Sequence, residues 1–388
     1  MRRQPAFIFA GGGTAGHIYP ALAIWEELAE MLTARGHAPV AHFVCSARPV
    51  DAKVLGAAGV WFTPTPANYP GLTPRQLWRF ASGWAASVRI TRAQIARLRA
   101  AGGQVQLVTM GGFVAAPAVQ AARVEHVTVT LVNIDAVAGK ANRLIARRAT
   151  RAFTTVPDAR FPAWVGVPPI VRRAARLPAP SAAARRDAQQ TLGLIAPGEP
   201  AKRVLMVTGG SLGARSINEL MTALVTREPK SFRGWDVLHQ TGNDDSAAEL
   251  NGVYKRAGVR AHVVSLTDQM PAWWRAAELA VSRAGAGAVA EAWSTATPTL
   301  FLPYPFHKDG HQARNAQALV LAGCARVVTD LVEVEKNISQ AGAALLGLMG
   351  DGAALGEMRD RALLLGPADG AVRVAAALAE AALGSLGA

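Results

Sequence analysis

Residues 11–16 read Gly-Gly-Gly-Thr-Ala-Gly and are followed at once by His17. A short apolar run, residues 6–10, precedes this turn, and a helix-like segment begins at Pro20. Strand, glycine turn and helix start together make an anion cradle, because unpaired backbone N–H groups point at the ligand. The helix dipole adds roughly half a positive charge. An imidazole beside such a cradle, titrating near about 6.5, suits proton transfer at neutral pH. Its other reading is a loop histidine held by backbone, or one that orients a phosphate. A second turn, Gly209-Gly210-Ser211-Leu212-Gly213-Ala214, follows the apolar run 203–208 and leads into another helix-like segment.

The elements that must position these turns alternate regularly. Candidate strands fall at 6–10, 40–45, 106–109, 127–132 and 152–155, with candidate helices at 20–35, 52–58, 75–101, 114–122 and 140–148. Alternation of this kind predicts a parallel sheet with crossover helices. A Pro/Ala/Arg-rich stretch, 172–200, interrupts it. Strands are then expected at 203–208, 235–240, 261–264, 279–281, 299–302 and 325–328, with a helix at 216–226 and an Ala/Leu-rich helix at 371–386. The economical architecture is α/β, two doubly wound, Rossmann-like parallel-sheet domains facing a cleft. Ligands are expected beyond the carboxyl ends of the strands.

The chain has 388 residues, enough for two ordinary domains, and is 51% hydrophobic and 18% charged, which argues against disorder. Its two cysteines, Cys45 and Cys324, are read as buried thiols of a reducing compartment. The N-terminus lacks a signal-peptide core, and no run approaches the ~18 apolar residues of a spanning helix. Residues 1–170 hold 18 Lys+Arg against 7 Asp+Glu, whereas 171–388 hold 23 against 20. The basic first half suggests a polyanionic partner: nucleic acid, an anionic membrane or a phosphorylated substrate. An arginine-rich composition is the bland alternative. Nucleic acid is disfavoured because no zinc, homeodomain or RNA-recognition signature accompanies the arginines.

Gly11-x-Gly13-x-x-Gly16 also fits a dinucleotide fingerprint. That reading wants an acidic residue closing the second strand, where this chain has Ser46-Ala47-Arg48, and it leaves the second turn unexplained. Longer matches point elsewhere. Residues 11–24, GGGTAGHIYPALAI, resemble the N-terminal signature of the MurG family, which belongs to glycosyltransferase family 28 and has the GT-B fold. Met110-Gly111-Gly112-Phe113 and Gly209 to Asn218 resemble its second and third glycine loops. Residues 282–291, SRAGAGAVAE, are similar to its donor loop and helix, and 303–316 to the stretch that follows. These matches run in order from about residue 7 to residue 328.

The resemblance implies an inverting transferase. It would move N-acetylglucosamine from UDP-N-acetylglucosamine to undecaprenyl-pyrophosphoryl-MurNAc-pentapeptide in peptidoglycan synthesis. On this reading residues 1–171 form an acceptor- and membrane-binding domain and 172–366 the UDP-sugar domain, with 367–388 a helix packing back on the first. His17 is the implied general base. Thr14, Ala15 and Gly16 would offer N–H groups to the acceptor pyrophosphate, with Gly111, Gly112, Asn133, Asp135 and Asn142 on the acceptor side. Glu291 would accept hydrogen bonds from the ribose. Ser211, Gly210, Gly213 and Ala286 would hold the diphosphate, and His311, Gln312 and Asn315 would reach the donor sugar. Arg172 would contact the donor phosphates, with Arg173 an equal alternative. No Asp-x-Asp pair occurs, so no metal cofactor is expected.

Leu72, Leu77, Trp78, Phe80 and Trp84 lie among Arg75, Arg79, Arg89 and Arg92. This suits a patch at an anionic membrane surface, and equally a core-facing stripe with arginines outward. Its position matches the family's membrane-associating region, which implies a peripheral place on the cytoplasmic face. The chain departs from the family at Asn133-Ile134-Asp135, where Glu-Gln-Asn is usual. It departs again at Leu212, Ala284 and Ala288. The first departure leaves open a MurG-like paralogue with another lipid or small aglycone, or a non-catalytic sugar-nucleotide or lipid binder.

Overall fold

The computed structural model describes residues 4–13, 15–69, 73–176, 180–306 and 310–386. It divides into two compact units, Met1–Arg173 with Asp369–Ala388, and Ala174–Ala368.

The first unit holds a seven-stranded sheet: β1 (Gln4–Ala10), β2 (Val40–Ser46), β3 (Trp61–Thr65), β4 (Gly103–Thr109), β5 (Thr128–Asn133), β6 (Arg151–Thr154) and β7 (Val165–Gly166). The spatial order is β3-β2-β1-β4-β5-β6-β7, and every pairing is parallel. Such strands are covered on both faces, hence the unbroken apolar runs. Ala6 to Ala10 are all buried. Two strands lie outside the alternation expected from sequence. β3 is an edge strand carrying Pro64, a residue tolerated only where a ladder donor is not needed. β7 has just two residues.

The helix Ala15–Ala34 leaves the first glycine turn and carries Pro20 inside it, as its sixth residue, where the missing N–H removes one helical hydrogen bond. The 27-residue helix Pro74–Ala100 starts at a reciprocal capping box between Thr73 and Gln76. The terminal helix Gly370–Leu386 packs on Ala15–Ala34 after a bridge between Ile170 and Asp369.

The second unit repeats the plan with β8 (Arg203–Thr208), β9 (Trp235–Gln240), β10 (Ala261–Val264), β11 (Leu279–Ser282), β12 (Thr299–Phe301) and β13 (Ala325–Val327). Their order is β10-β9-β8-β11-β12-β13, again all parallel. One face of this sheet is covered by small residues around the fully buried Trp273 and Trp274. In each unit the order reverses beside the strand that feeds the glycine turn: between β1 and β4, and between β8 and β11. Those reversals open crevices at the strands' carboxyl ends, where α/β sheets bind ligands.

Two glycine turns and a candidate active site

At the first reversal the turn after β1 is held from below by a buried acid. Asp51 Oδ2 accepts from the Gly13 N–H at 2.8 Å, the Ser46 N–H at 3.0 Å and the Ser46 hydroxyl at 2.6 Å. Arg48 donates to the Gly13 carbonyl and lies over the Phe113 ring, which also contacts Tyr69. Asp51 escaped the sequence reading because its helix starts at Pro49, three residues earlier than the apolar pattern suggests. An acid two residues into a proline-started helix was the available signal.

His17 stands on the first turn of helix Ala15–Ala34 and is half-buried. Burial lowers its imidazole below the ordinary value. The Asp135 carboxylate, a hydrogen bond to the Gly12 backbone and the Asp51 carboxylate pull the other way. The bond to Gly12 fixes a tautomer whose other ring nitrogen is an acceptor, as a base requires. The loop after β4 closes against the ring. A Cβ placed on Gly112 would lie 3.3 Å from His17 Cε1, and one on Gly111 would overlap the Asn142 amide. Both glycines have positive φ, 86° at Gly111 and 81° at Gly112.

Asn133 and Asn142 are buried behind this loop. Asn142 Nδ2 donates to Asn133 Oδ1 at 2.9 Å, and Asn133 Nδ2 donates to the Asp135 carbonyl and to Thr154 Oγ1. Both amides therefore fix the wall, and Asp135 is the member of this group whose charge reaches His17. Gly16 is exposed at the helix start. Thr14 and the side chain of Ala15 lie outside the described residues.

At the second reversal the turn after β8 rests on neutral groups. Gln240 Nε2 donates to the Gly210 carbonyl at 3.0 Å, and Thr208 Oγ1 accepts from the Gly210 N–H at 3.1 Å. Gly213, with φ 71°, passes so close to the Thr241 carbonyl that a Cβ would overlap it. Ser211 and Leu212 are exposed, and helix Arg215–Arg227 follows. Its start is tied to the β11 loop by a network that the sequence reading missed. Arg283 donates to Asp330 Oδ2 at 2.6 Å and to the Ser216 hydroxyl at 2.9 Å, and Ser216 itself donates to Asp330. Burial pushes Asp330 up. Hydrogen bonds from Ser216, Asn337, the Val332 N–H and Arg283 more than offset that and hold it below the usual carboxylate range.

Ala286 opens the helix Ala286–Thr295, which carries Glu291. Burial raises the Glu291 carboxyl to about 7, with the nearby Trp274 indole pulling the other way. Asn315 is buried and donates to the Ala284 carbonyl at 3.2 Å, so it holds the loop after β11. Gln312 Oε1 accepts from the Tyr304 N–H at 2.8 Å, and His311 begins the same short helix, His311–Asn315. Arg172 lies in the first unit, its guanidinium paired with Glu26, and Arg173 pairs with Glu27 and Glu30.

The turn, loop and helix arrangement is shared with known transferases. Residues 7–154 match the glycosyltransferase family 28 N-terminal domain and residues 204–362 match the family's C-terminal domain. The chain belongs to glycosyltransferase family 28. It is 34% identical over 331 residues to a protein of Solibacter usitatus (84% of this chain, 83% of that one). It is 35% identical over 373 residues to one of Clavibacter michiganensis subsp. michiganensis (95% and 94%). Both are named UDP-N-acetylglucosamine--N-acetylmuramyl-(pentapeptide) pyrophosphoryl-undecaprenol N-acetylglucosamine transferase. The fold is similar to that of crystalline MurG of Acinetobacter baumannii, with a TM-score of 0.68, 20% identity, and coverage of 97% of this chain and 99% of that one. The family 28 resemblance read from the motifs, and the GT-B class with its two parallel-sheet domains, are borne out.

Of the residues expected at a membrane, Leu77 and Trp78 are exposed, at 50% and 71%. Phe80 and Trp84 are half-buried and in ring contact, and the Trp84 indole donates to Gln120. Leu72 lies outside the described residues. Arg92 is paired with Glu125, whereas Arg75, Arg79 and Arg89 lie exposed along the same helix. Among the described residues no helix is long and apolar enough to cross a membrane.

Proposed function

We propose that this chain transfers N-acetylglucosamine from UDP-N-acetylglucosamine to undecaprenyl-pyrophosphoryl-MurNAc-pentapeptide, with inversion at the anomeric carbon. The observation that carries the reading is the pair of switch-point glycine turns in a family 28 chain, one beside His17 and the other in the same sheet as the strand that feeds the Glu291 helix. The acceptor hydroxyl attacks the anomeric carbon as His17 takes its proton, and the bond from that carbon to the UDP oxygen breaks. UDP leaves with its charge met by the Ser211 N–H and by the start of helix Arg215–Arg227, while Gly210 and Gly213, their own N–H groups bonded within the turn, give it its shape. Glu291 accepts from the ribose hydroxyls. Ala286 and the amide of Gln312 complete the donor pocket, with His311 beside them and Asn315 holding its loop.

On the acceptor side, Gly16, Gly111 and Gly112 offer close backbone approach to the pyrophosphate, with Asp135 and the Asn133–Asn142 pair shaping the wall. The polyprenyl acceptor is met at the cytoplasmic face of the membrane through Leu77, Trp78 and the neighbouring arginines. Trp78→Ser is expected to reduce binding to anionic phosphatidylglycerol vesicles severalfold while leaving UDP-N-acetylglucosamine affinity unchanged.

The test is incubation with radiolabelled UDP-N-acetylglucosamine and a soluble analogue of the lipid-linked acceptor, with and without a chelator. Labelled disaccharide forms in both conditions. UDP release without transfer to this acceptor would move the chain to another aglycone. Absence of donor binding would make it a non-catalytic protein.

A further inference from the structure

The second unit carries a group of cations that the transfer reaction does not use. A surface recess is lined by Ser181, Arg185, Arg275, Ala277, Thr295 and Arg359. Its three arginines come from three helices: Ala182–Thr191, Met270–Ala276 and Gly352–Leu363. Arg275 donates to the Ala174 carbonyl and Arg359 to the Glu278 carbonyl, so each spends one N–H on backbone. The Nε atoms of Arg185 and Arg275 are buried with no hydrogen-bond acceptor among the described residues.

The group is under electrostatic load. Burial lowers Arg275, and burial together with the neighbouring Arg185 charge lowers Arg359 to about 10, although Glu278 and Asp360 oppose this. Glu278 is itself shared with Arg203. Cations gathered and desolvated in this way are stabilised by an anion that brings its own acceptors. Ser181 caps helix Ala182–Thr191 by accepting from the Ala184 N–H at 3.0 Å, which leaves its hydroxyl proton for a ligand. The start of that helix adds a favourable dipole.

We propose that this recess binds an oxyanion of the phosphate class, either free phosphate or the phosphate of a small monoester. A carboxylate has two oxygens and is satisfied by one guanidinium fork, whereas phosphate offers enough acceptors for several at once. The site is distinct from the glycine turn at Gly209–Ala214, but it touches the donor helix. Thr295, on its wall, donates to the Glu291 carbonyl at 2.8 Å and bonds Thr297.

The test measures the melting temperature of the full chain in saturating UDP, which occupies the donor diphosphate site, while inorganic phosphate replaces chloride at constant ionic strength. Glycerol phosphate in a parallel series reports whether a monoester enters. The wild type is expected to show a saturable rise with phosphate. Arg185→Gln/Arg359→Gln is expected to weaken the apparent affinity about tenfold or more while keeping its response to UDP, which shows that it is folded. Arg185→Lys keeps the charge but loses the fork, and is expected to fall between the two. No phosphate-specific rise in the wild type, or an equal rise in both variants, would overturn the proposal. These outcomes do not depend on which sugar acceptor the enzyme uses.

Discussion

The turn after β1 rests on the carboxylate of Asp51, whereas the turn after β8 rests on the amide of Gln240 and the hydroxyl of Thr208. Both are glycine-rich, both end a strand at the point where sheet order reverses, and both lead into a helix. The difference lies in charge. A buried acid beneath an anion cradle opposes a diphosphate and takes the Gly13 N–H out of use, but it supports a proton arriving on His17. A neutral floor leaves the dipole of helix Arg215–Arg227 uncompensated for phosphate, and the buried Arg283 guanidinium is already matched by Asp330. In the function proposed above, the first turn serves proton transfer and the second holds the nucleotide.

His17→Ala probes this division at its most sensitive point. Turnover is expected to fall by about 10²–10⁴-fold with UDP-N-acetylglucosamine affinity unchanged, measured by steady-state transfer and by calorimetry. A loss of donor affinity would break the division. Glu291→Ala is expected to do the reverse, weakening donor binding by about ten- to a hundredfold, as a lost charge-assisted bond does, with kcat largely kept. Because burial holds the Glu291 carboxyl near about 7, the form that accepts hydrogen bonds from ribose is depleted below that pH and filled above it. Donor affinity should therefore rise about tenfold from pH 6 to pH 8 in the wild type and stay flat in Glu291→Gln.

Exchanging the floors of the turns sharpens the comparison. Gln240→Glu places a carboxylate under the second turn and is expected to weaken donor binding about tenfold, most clearly at low salt. Asp51→Asn keeps an acceptor for Gly13 and Ser46 but removes the charge that raises His17. The acid limb of the pH–rate profile should then move to lower pH by up to about 1 unit, with donor affinity unchanged. An unmoved limb would mean that Asp51 acts only through backbone geometry.

Much of this was legible in the chain. Unbroken apolar runs placed eleven of the thirteen strands, because strands covered on both faces need no alternation. Those at 235–240 and 261–264 match to the residue. β3 escaped because an edge strand with Pro64 and half-exposed side chains carries neither period, and β7 because two residues carry no pattern. The glycine turns, His17 and Glu291 were readable because their types and spacing are local. The supports were not. Asp51 lies 38 residues from Gly13, and Asp330 lies 114 from Ser216, so only the folded sheet brings each pair together. For the same reason sequence could not show that Asn133, Asn142 and Asn315 are buried and bonded to their own loops.

Hydrogen exchange of backbone amides in the presence of saturating UDP-N-acetylglucosamine tests the assignment of the two turns most directly. The division of labour predicts protection across residues 209–214 and 286–291 and none across 11–17, with the acceptor analogue protecting 11–17 and 110–113 instead. Protection of 11–17 by UDP-N-acetylglucosamine alone would contradict it.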